Sequence, residues 1–256
     1  MKVRIRFSKS DSLRYVGHLD LLRFFQKAMR RAEIPMRFSE GFHPHQIMSF
    51  ASPLGVGVTS QGEYLDIEIT EEIDADEAMR RLNEQMVEGV SILSFTYMPD
   101  NTKNSMASLA ASDYLVYFKR GLNPSVDYVD AVSQFYGSKE PIVVVKKTKK
   151  SEKEMDIRPL ILDMKVGTVG NLQSLLPAGY EDPSKYLPWE DGFCLEDKDP
   201  MFYLYLTTGS TDNLKPELVM EALHQRLGVD FDASNLGIHR LDMFEASENG
   251  YQSLAR

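Results

Sequence analysis

Lys2-Val3-Arg4-Ile5-Arg6-Phe7, and then Leu21-Leu22-Arg23-Phe24-Phe25-Gln26-Lys27-Ala28-Met29-Arg30-Arg31-Ala32, are the runs whose reading decides the fold. The first alternates charge and hydrophobe with period two, the pattern of a half-buried strand. The second repeats Leu21, Leu22, Phe25, Ala28, Met29 and Ala32 at intervals of three and four, the stripe of an amphipathic helix. Asp20, Arg23, Lys27, Arg30 and Arg31 take its other face, and Pro35 stops it because proline cannot continue the backbone ladder. Working outward, Gln46–Ser52 and Glu63–Thr70 read as strands, with Gly55, Gly57 and Gly62 punctuating the loop between them. Asp74, with Glu77 three residues on, starts a second helix in the manner of a capping box, and Ala78, Met79, Leu82 and Met86 form its apolar stripe. Val90–Tyr97 supplies a fourth strand. The order β-α-β-β-α-β predicts a ferredoxin-like half, with an antiparallel sheet and both helices on one face.

Residues 99–112 hold little that packs and read as a connection. After them the order repeats: strand Tyr114–Lys119, helix Pro124–Tyr136, a long hairpin of Pro141–Lys150 with Met155–Val166, strand Phe202–Thr207, helix Pro216–Leu227 ended by Gly228, and strand Ile238–Phe244. The expected fold is α+β, with two ferredoxin-like halves of antiparallel sheet. Residues 1–98 form the first and carry the motif cluster. Residues 113–256 form the second, with an irregular insertion at about 167–200. That insertion, with Pro177, Pro183, Pro188 and Trp189, is too long for an ordinary connection and reads as a functional or partner-wrapped loop. The run Lys146-Lys147-Thr148-Lys149-Lys150 falls at the hairpin tip, where lysines guard a sheet edge or meet a phosphate backbone.

Composition narrows the function classes. The chain has 256 residues, 43% of them hydrophobic, and lacks an apolar run near the ~20 residues that span a bilayer, so no membrane partner is expected. The alternating start is a strand and not a secretory signal. A single cysteine, Cys194, leaves no disulfide framework, no thiolate zinc site and no iron–sulfur cluster of the chain's own, and a cytoplasmic location is expected. The net charge of −9 argues against general coating of nucleic acid. It hides an asymmetry, however: residues 1–50 carry ten Lys and Arg against four Asp and Glu, a local +6 that leaves −15 to the remaining 206. A basic face on an acidic chain suits a specific anionic partner, and a solvated helix face is the plain alternative.

The densest chemistry lies between Arg14 and Glu63. His18 and Asp20 open the first helix, Ser39-Glu40-Gly41-Phe42-His43-Pro44-His45 forms a turn, and Ser60-Gln61-Gly62-Glu63 opens a strand. Three readings stand side by side. His18, Asp20 and His45 offer imidazole and carboxylate ligands for a divalent metal such as Zn, Fe or Mn, with Glu63 beside them as a further acid–base candidate. Alternatively Arg14, His18, Asp20, Arg23, Lys27, Arg30, Arg31, Arg37, Ser39, Phe42, His43 and His45 form a recognition surface. Its cations would meet RNA phosphates, while Phe42 and the histidines stack on bases. In the third reading the cluster is structural and the chain works through protein contacts. The residues alone leave open whether the chain is an enzyme, and no cofactor is implied beyond that metal.

Gly17-His18-Leu19-Asp20-Leu21-Leu22-Arg23, Arg30-Arg31-Ala32 to Pro35, Ser39 to His45, and Ser60 to Asp66 resemble the radical-SAM-linked family of uncharacterised bacterial proteins, in its stand-alone form. Gly17, His43 and Gln46 stand where the family pattern has serine, asparagine and proline, which ranks His43 below His18, Asp20, Arg23, His45 and Glu63. The resemblance implies a radical-SAM enzyme as partner and a link to RNA or a ribosomal component. It implies no known reaction. The expected role is substrate recognition for a radical-SAM enzyme acting on RNA or the translation machinery.

Overall fold

A computed structural model of the chain describes residues 1–147, 152–180, 195–209 and 212–255. In chain order the elements are β1 (Lys2–Lys9), α1 (His18–Arg31), β2 (Met48–Phe50), β3 (Thr59–Glu68), α2 (Ala75–Asn83), β4 (Val90–Met98), α3 (Ser105–Ser108) and β5 (Leu109–Phe118). Then come α4 (Tyr128–Gly137), β6 (Val143–Lys147), β7 (Glu152–Asp156), β8 (Ile161–Thr168), α5 (Leu172–Leu175), β9 (Pro200–Thr207), α6 (Pro216–Leu227), β10 (Leu236–Ser247) and β11 (Gly250–Ser253). The fold is α+β, and no helix among the described residues is long and apolar enough to cross a membrane. It divides into two compact units, Met1–Ala111 with Arg240–Arg256, and Ser112–His239. The chain passes from one to the other within β5 and returns within β10.

In the first unit the strands lie in the order β4-β1-β3-β2, antiparallel throughout. β10 also joins β3, which starts at Thr59 and not at Glu63, and β11 pairs with β10. The register puts Val3 opposite Ile67 and Ile5 opposite Leu65, on the face where Leu21, Phe25 and Met29 of α1 and Ala78 and Leu82 of α2 complete the core. Phe7, Phe25 and Phe50 pack as tilted or edge-on rings 4.8–5.8 Å apart, geometries aromatic pairs favour over a face-to-face sandwich. Asp74 caps α2 by accepting from the Glu77 backbone N–H, as the capping-box pattern predicts.

The other face departs from the expectation of a strand half open to water. Arg4 is only 2% exposed. It donates to Asp66 through Nε (2.8 Å) and Nη2 (3.2 Å), and its remaining N–H groups reach the Lys103 and Leu254 carbonyls. The Ser105 N–H donates to Asp66 Oδ2 at 2.6 Å. Residues after β4, read as a loose connection, thus cover this face together with the segment after β11. Buried charges persist there because both partners are present and their remaining valences are met by backbone.

In the second unit the order is β10-β5-β9-β8, with β8 antiparallel to β9. Helices α4 and α6 pack with Phe118, Phe202 and Leu204 into its core. Gly228 ends α6 at φ +67°, the left-handed cap that glycine adopts without a Cβ penalty. The predicted long hairpin divides instead. Among the described residues β6 and β7 pair only with each other, Pro159 sits in a single helical turn over Arg158–Leu160, and β8 starts afresh and pairs with β9. Proline supplies no ladder N–H, so one strand could not run through it. Lys149, Lys150, Trp189 and Cys194, singled out in the sequence, lie outside the described residues.

Candidate functional site

The end of the first unit's core beneath the start of α1 holds a cluster of buried charge. Phe7 faces Glu63 across the β1–β3 ladder, and two residues on Lys9 faces Ser60, so β3 carries one extra residue at Gln61–Gly62. Strand alternation keeps Lys9 on the same face as Phe7, and the bulge brings Ser60 opposite it. Lys9 is 1% exposed and donates to the Val16 carbonyl at 2.8 Å, just before α1 begins. Glu63 and Arg240 are each 3% exposed and form a two-pronged pair. Arg240 Nε donates to Oε1 at 2.9 Å, and Nη2 reaches both carboxylate oxygens at 2.7 Å. The same Nη2 reaches the Ser52 carbonyl at 3.5 Å. Arg240 therefore holds the carboxylate directly, while Lys9 is a second buried cation that bonds to backbone and feels the carboxylate through its charge. Burial pushes the Lys9 ammonium below its ordinary value, Glu63 opposes that shift, and Arg240 adds to it. His18 sits at the rim, its ring edge-on to Phe50 at 5.2 Å.

Deeper along the opposite face of β3, Tyr64 donates its hydroxyl to Asp242, which also accepts from Ser253 at 2.7 Å and lies 3.8 Å from Arg6. Burial, then Asp242, raises the Tyr64 phenol well above its ordinary value, so it stays a donor. Gly62 is required here: a Cβ would fall 2.5 Å from Asp242 Cα and from the Leu241 carbonyl oxygen.

The structure brings His18 and Glu63 to one end of the core and commits the other motif residues locally. Asp20 pairs with Arg23 at 3.2 Å on the exposed face of α1. Ser39 and His45 close a loop: Ser39 Oγ meets His45 Nδ1 at 2.8 Å and accepts from the His45 N–H at 3.1 Å, while the Ser39 N–H donates to the His45 carbonyl. His43 and Phe42 project from that loop, and Phe42 is wholly exposed (102%). Arg14 lies 5.0 Å over the Tyr15 ring and its carbonyl receives the Gly57 N–H. Arg37 pairs with Glu68 at 3.1 Å. Lys27, Arg30 and Arg31 are exposed, and no ion pair among the described residues involves them. No three His, Cys, Asp or Glu side chains group together among the described residues, so His18, Asp20 and His45 do not form a ligand set in this structure.

Residues 2–216 match the family described as "Uncharacterized protein conserved in bacteria (DUF2344)". The chain belongs to that family. No curated protein matches it. The part of this DUF2344 chain that carries the match contains Lys9, His18, the Ser39–His45 loop and Glu63, whereas Arg240 lies beyond it. Sequence reading found His18 and Glu63 but missed Lys9 and Arg240. Lys9 had a local signal, a cation two residues after Phe7 on the same side of a strand. Arg240 had only a misleading one: Arg240 and Asp242 alternate with Leu241 and Met243 as on a strand with one wet face, whereas Ile238–Met243 of this DUF2344 chain is buried on both faces.

Proposed function

We propose that the Met1–Ala111 unit binds single-stranded RNA through the outer face of α1 and the Ser39–His45 loop. The observation that carries this reading is the wholly exposed Phe42 in a segment where exposed Tyr15, Leu19 and Phe38 alternate with exposed Arg23, Lys27, Arg30 and Arg31. Unstacked bases are held by aromatic faces and their phosphates by cations, and this segment supplies both. The buried Lys9–Glu63–Arg240 cluster serves as the rigid end-plate from which α1 and the strands leave. Two ferredoxin-like halves complete the proposal. The orders β4-β1-β3-β2 and β10-β5-β9-β8 both support it, since each places the first and third strands of a β-α-β-β-α-β series in the middle.

Following the motif resemblance, we place the protein in the cytoplasm as the recognition partner of a radical-SAM enzyme whose substrate is RNA or a ribosomal component. Anisotropy titrations of labelled single-stranded RNA across a salt series test the RNA part. Arg23→Ala and Arg30→Ala should each lower the salt slope by about 0.7 for every phosphate the arginine neutralises, and Phe42→Ala should weaken binding by about 1–3 kcal/mol. Absence of binding at low salt would overturn the reading. Copurification with the radical-SAM enzyme tests the partner, and a complex that forms equally well without RNA would favour protein contacts over RNA recognition.

A further inference from the structure

The sheet face opposite α1 and α2 carries a cavity of about 290 Å³ that the RNA reading leaves unused. Its floor is Arg4 of β1 with Asp66 and Glu68 of β3, and its roof is Thr102–Asn104. Strand alternation sets the walls. Met48 lies opposite Ile67 and turns toward the helices, so Ile47 and Ser49 turn toward the cavity from one outer strand, as Met98, opposite Lys2, does from the other. The Glu68 N–H donates to the Ile47 carbonyl, which extends this pairing.

The charges within are unequal. Arg4 and Asp66 cancel, and Glu68 is paired with Arg37. Lys2 donates only to the Asp100 and Thr102 carbonyls, at 2.7 and 2.9 Å, and Lys103 appears in no ion pair among the described residues. Two ammonium groups thus stand without a carboxylate beside a space walled by Ile47 and Met98. Such a site suits a flat apolar ring joined to an anion, since thioether and aliphatic carbon pack on ring faces and ammonium groups offset the negative charge. The volume, at the small end of ligand pockets, admits one such unit.

We infer that this cavity holds a single nucleotide, its base between Ile47 and Met98 and its phosphate toward Lys103. The choice of a nucleotide rests on the RNA reading: Ile47 lies two residues past the loop that exposes Phe42, and the Arg37–Glu68 pair ties that loop's base to the cavity floor. The nucleotide is either a free monophosphate or one residue of a bound RNA chain, and the two arms of the test separate these.

The four ribonucleoside 5′-monophosphates and a ten-residue single-stranded RNA are titrated calorimetrically against the full chain, Ser49→Trp, which fills the cavity, and Lys103→Glu, an exposed change that leaves the core intact. Weakening of monophosphate binding by tenfold or more in both variants supports the pocket with a free nucleotide. The same weakening confined to the RNA supports the pocket with a chain residue. Unchanged affinity for both ligands in Lys103→Glu, or no binding of monophosphate at millimolar concentration together with RNA binding unchanged in either variant, overturns it. RNA binding that needs Arg30 and Phe42 but neither cavity residue would sink the pocket alone. Monophosphate binding at the cavity with no RNA binding at low salt would sink the RNA reading alone.

Discussion

Replacing Glu63 by glutamine should cost this protein about 3 kcal/mol. The carboxylate accepts three short hydrogen bonds from Arg240, and both side chains are 3% exposed. Lys9 adds a second buried cation that interacts with the same carboxylate. Glutamine keeps the volume and one acceptor oxygen but removes the negative charge that Arg240 binds and that Lys9 is drawn to, leaving both buried cations without it. Breaking a buried pair by removing one partner costs about 3–5 kcal/mol, and the retained amide oxygen places this change at the lower end. For a chain of this length about 3 kcal/mol lowers Tm by roughly 6–12 °C. Urea denaturation followed by far-UV circular dichroism, with calorimetry for Tm, measures both.

The same reasoning predicts a different result for Lys9→Met. That change removes the excess cation and loses one hydrogen bond to Val16, so it should alter stability by no more than about 1 kcal/mol. The triple variant Lys9→Met/Glu63→Leu/Arg240→Met should equal or exceed the wild type, because buried ion clusters are often matched by apolar residues of similar volume. A loss below about 1 kcal/mol in Glu63→Gln would refute the account. So would a Lys9→Met variant as unstable as Glu63→Gln, which would make Lys9 and not Arg240 the carboxylate's principal partner.

Three further outcomes follow from the packing. Gly62→Ala should lose about 3 kcal/mol or fail to fold, since its Cβ would meet backbone atoms of Leu241 and Asp242 at 2.5 Å; the denaturation midpoint checks this. Burial holds the His239 imidazole at a pKa of about 3, and His224, buried against Tyr128 and donating to the Met220 carbonyl, is also shifted down. The unfolded chain binds these protons first. Stability is therefore complete above the ordinary histidine value near 6.5 and declines as pH falls from there to about 3. His239 alone accounts for at most about 5 kcal/mol of that loss, and His239→Gln should flatten a stability profile taken between pH 7 and 3. Asp74→Ala removes the hydrogen bond to the Glu77 N–H at the start of α2 and should cost about 1 kcal/mol by chemical denaturation.

Local patterns made most elements of the first unit legible. The stripe of Leu21, Phe25 and Met29 marks α1, Asp74 marks the start of α2, and alternation marks β1 and β3, because each of these signals comes from residues close along the chain. Pro159 marks the break by residue type, although the apolar positions of Met155–Val166 by themselves predict one strand. Within the candidate site, His18 and Glu63 stood out because they lie in dense motifs. His45 looked like a ligand by residue type, but its Nδ1 meets Ser39 and among the described residues no set of His, Cys, Asp or Glu that could hold a metal gathers there, an outcome that no spacing rule reveals.

By itself the sequence determined the α+β class, the amphipathic helices, the caps and the basic bias of residues 1–50, all of which depend on periodicity and nearest neighbours. Only the tertiary structure decided that Arg4 is buried, that residues after β4 roof one face of the sheet, and that Glu63 meets an arginine 177 positions away. A charge on an alternating strand is equally consistent with water and with a buried partner. Which of these it meets is set by the strand or segment that closes over it, and that choice depends on how distant parts of the chain come together.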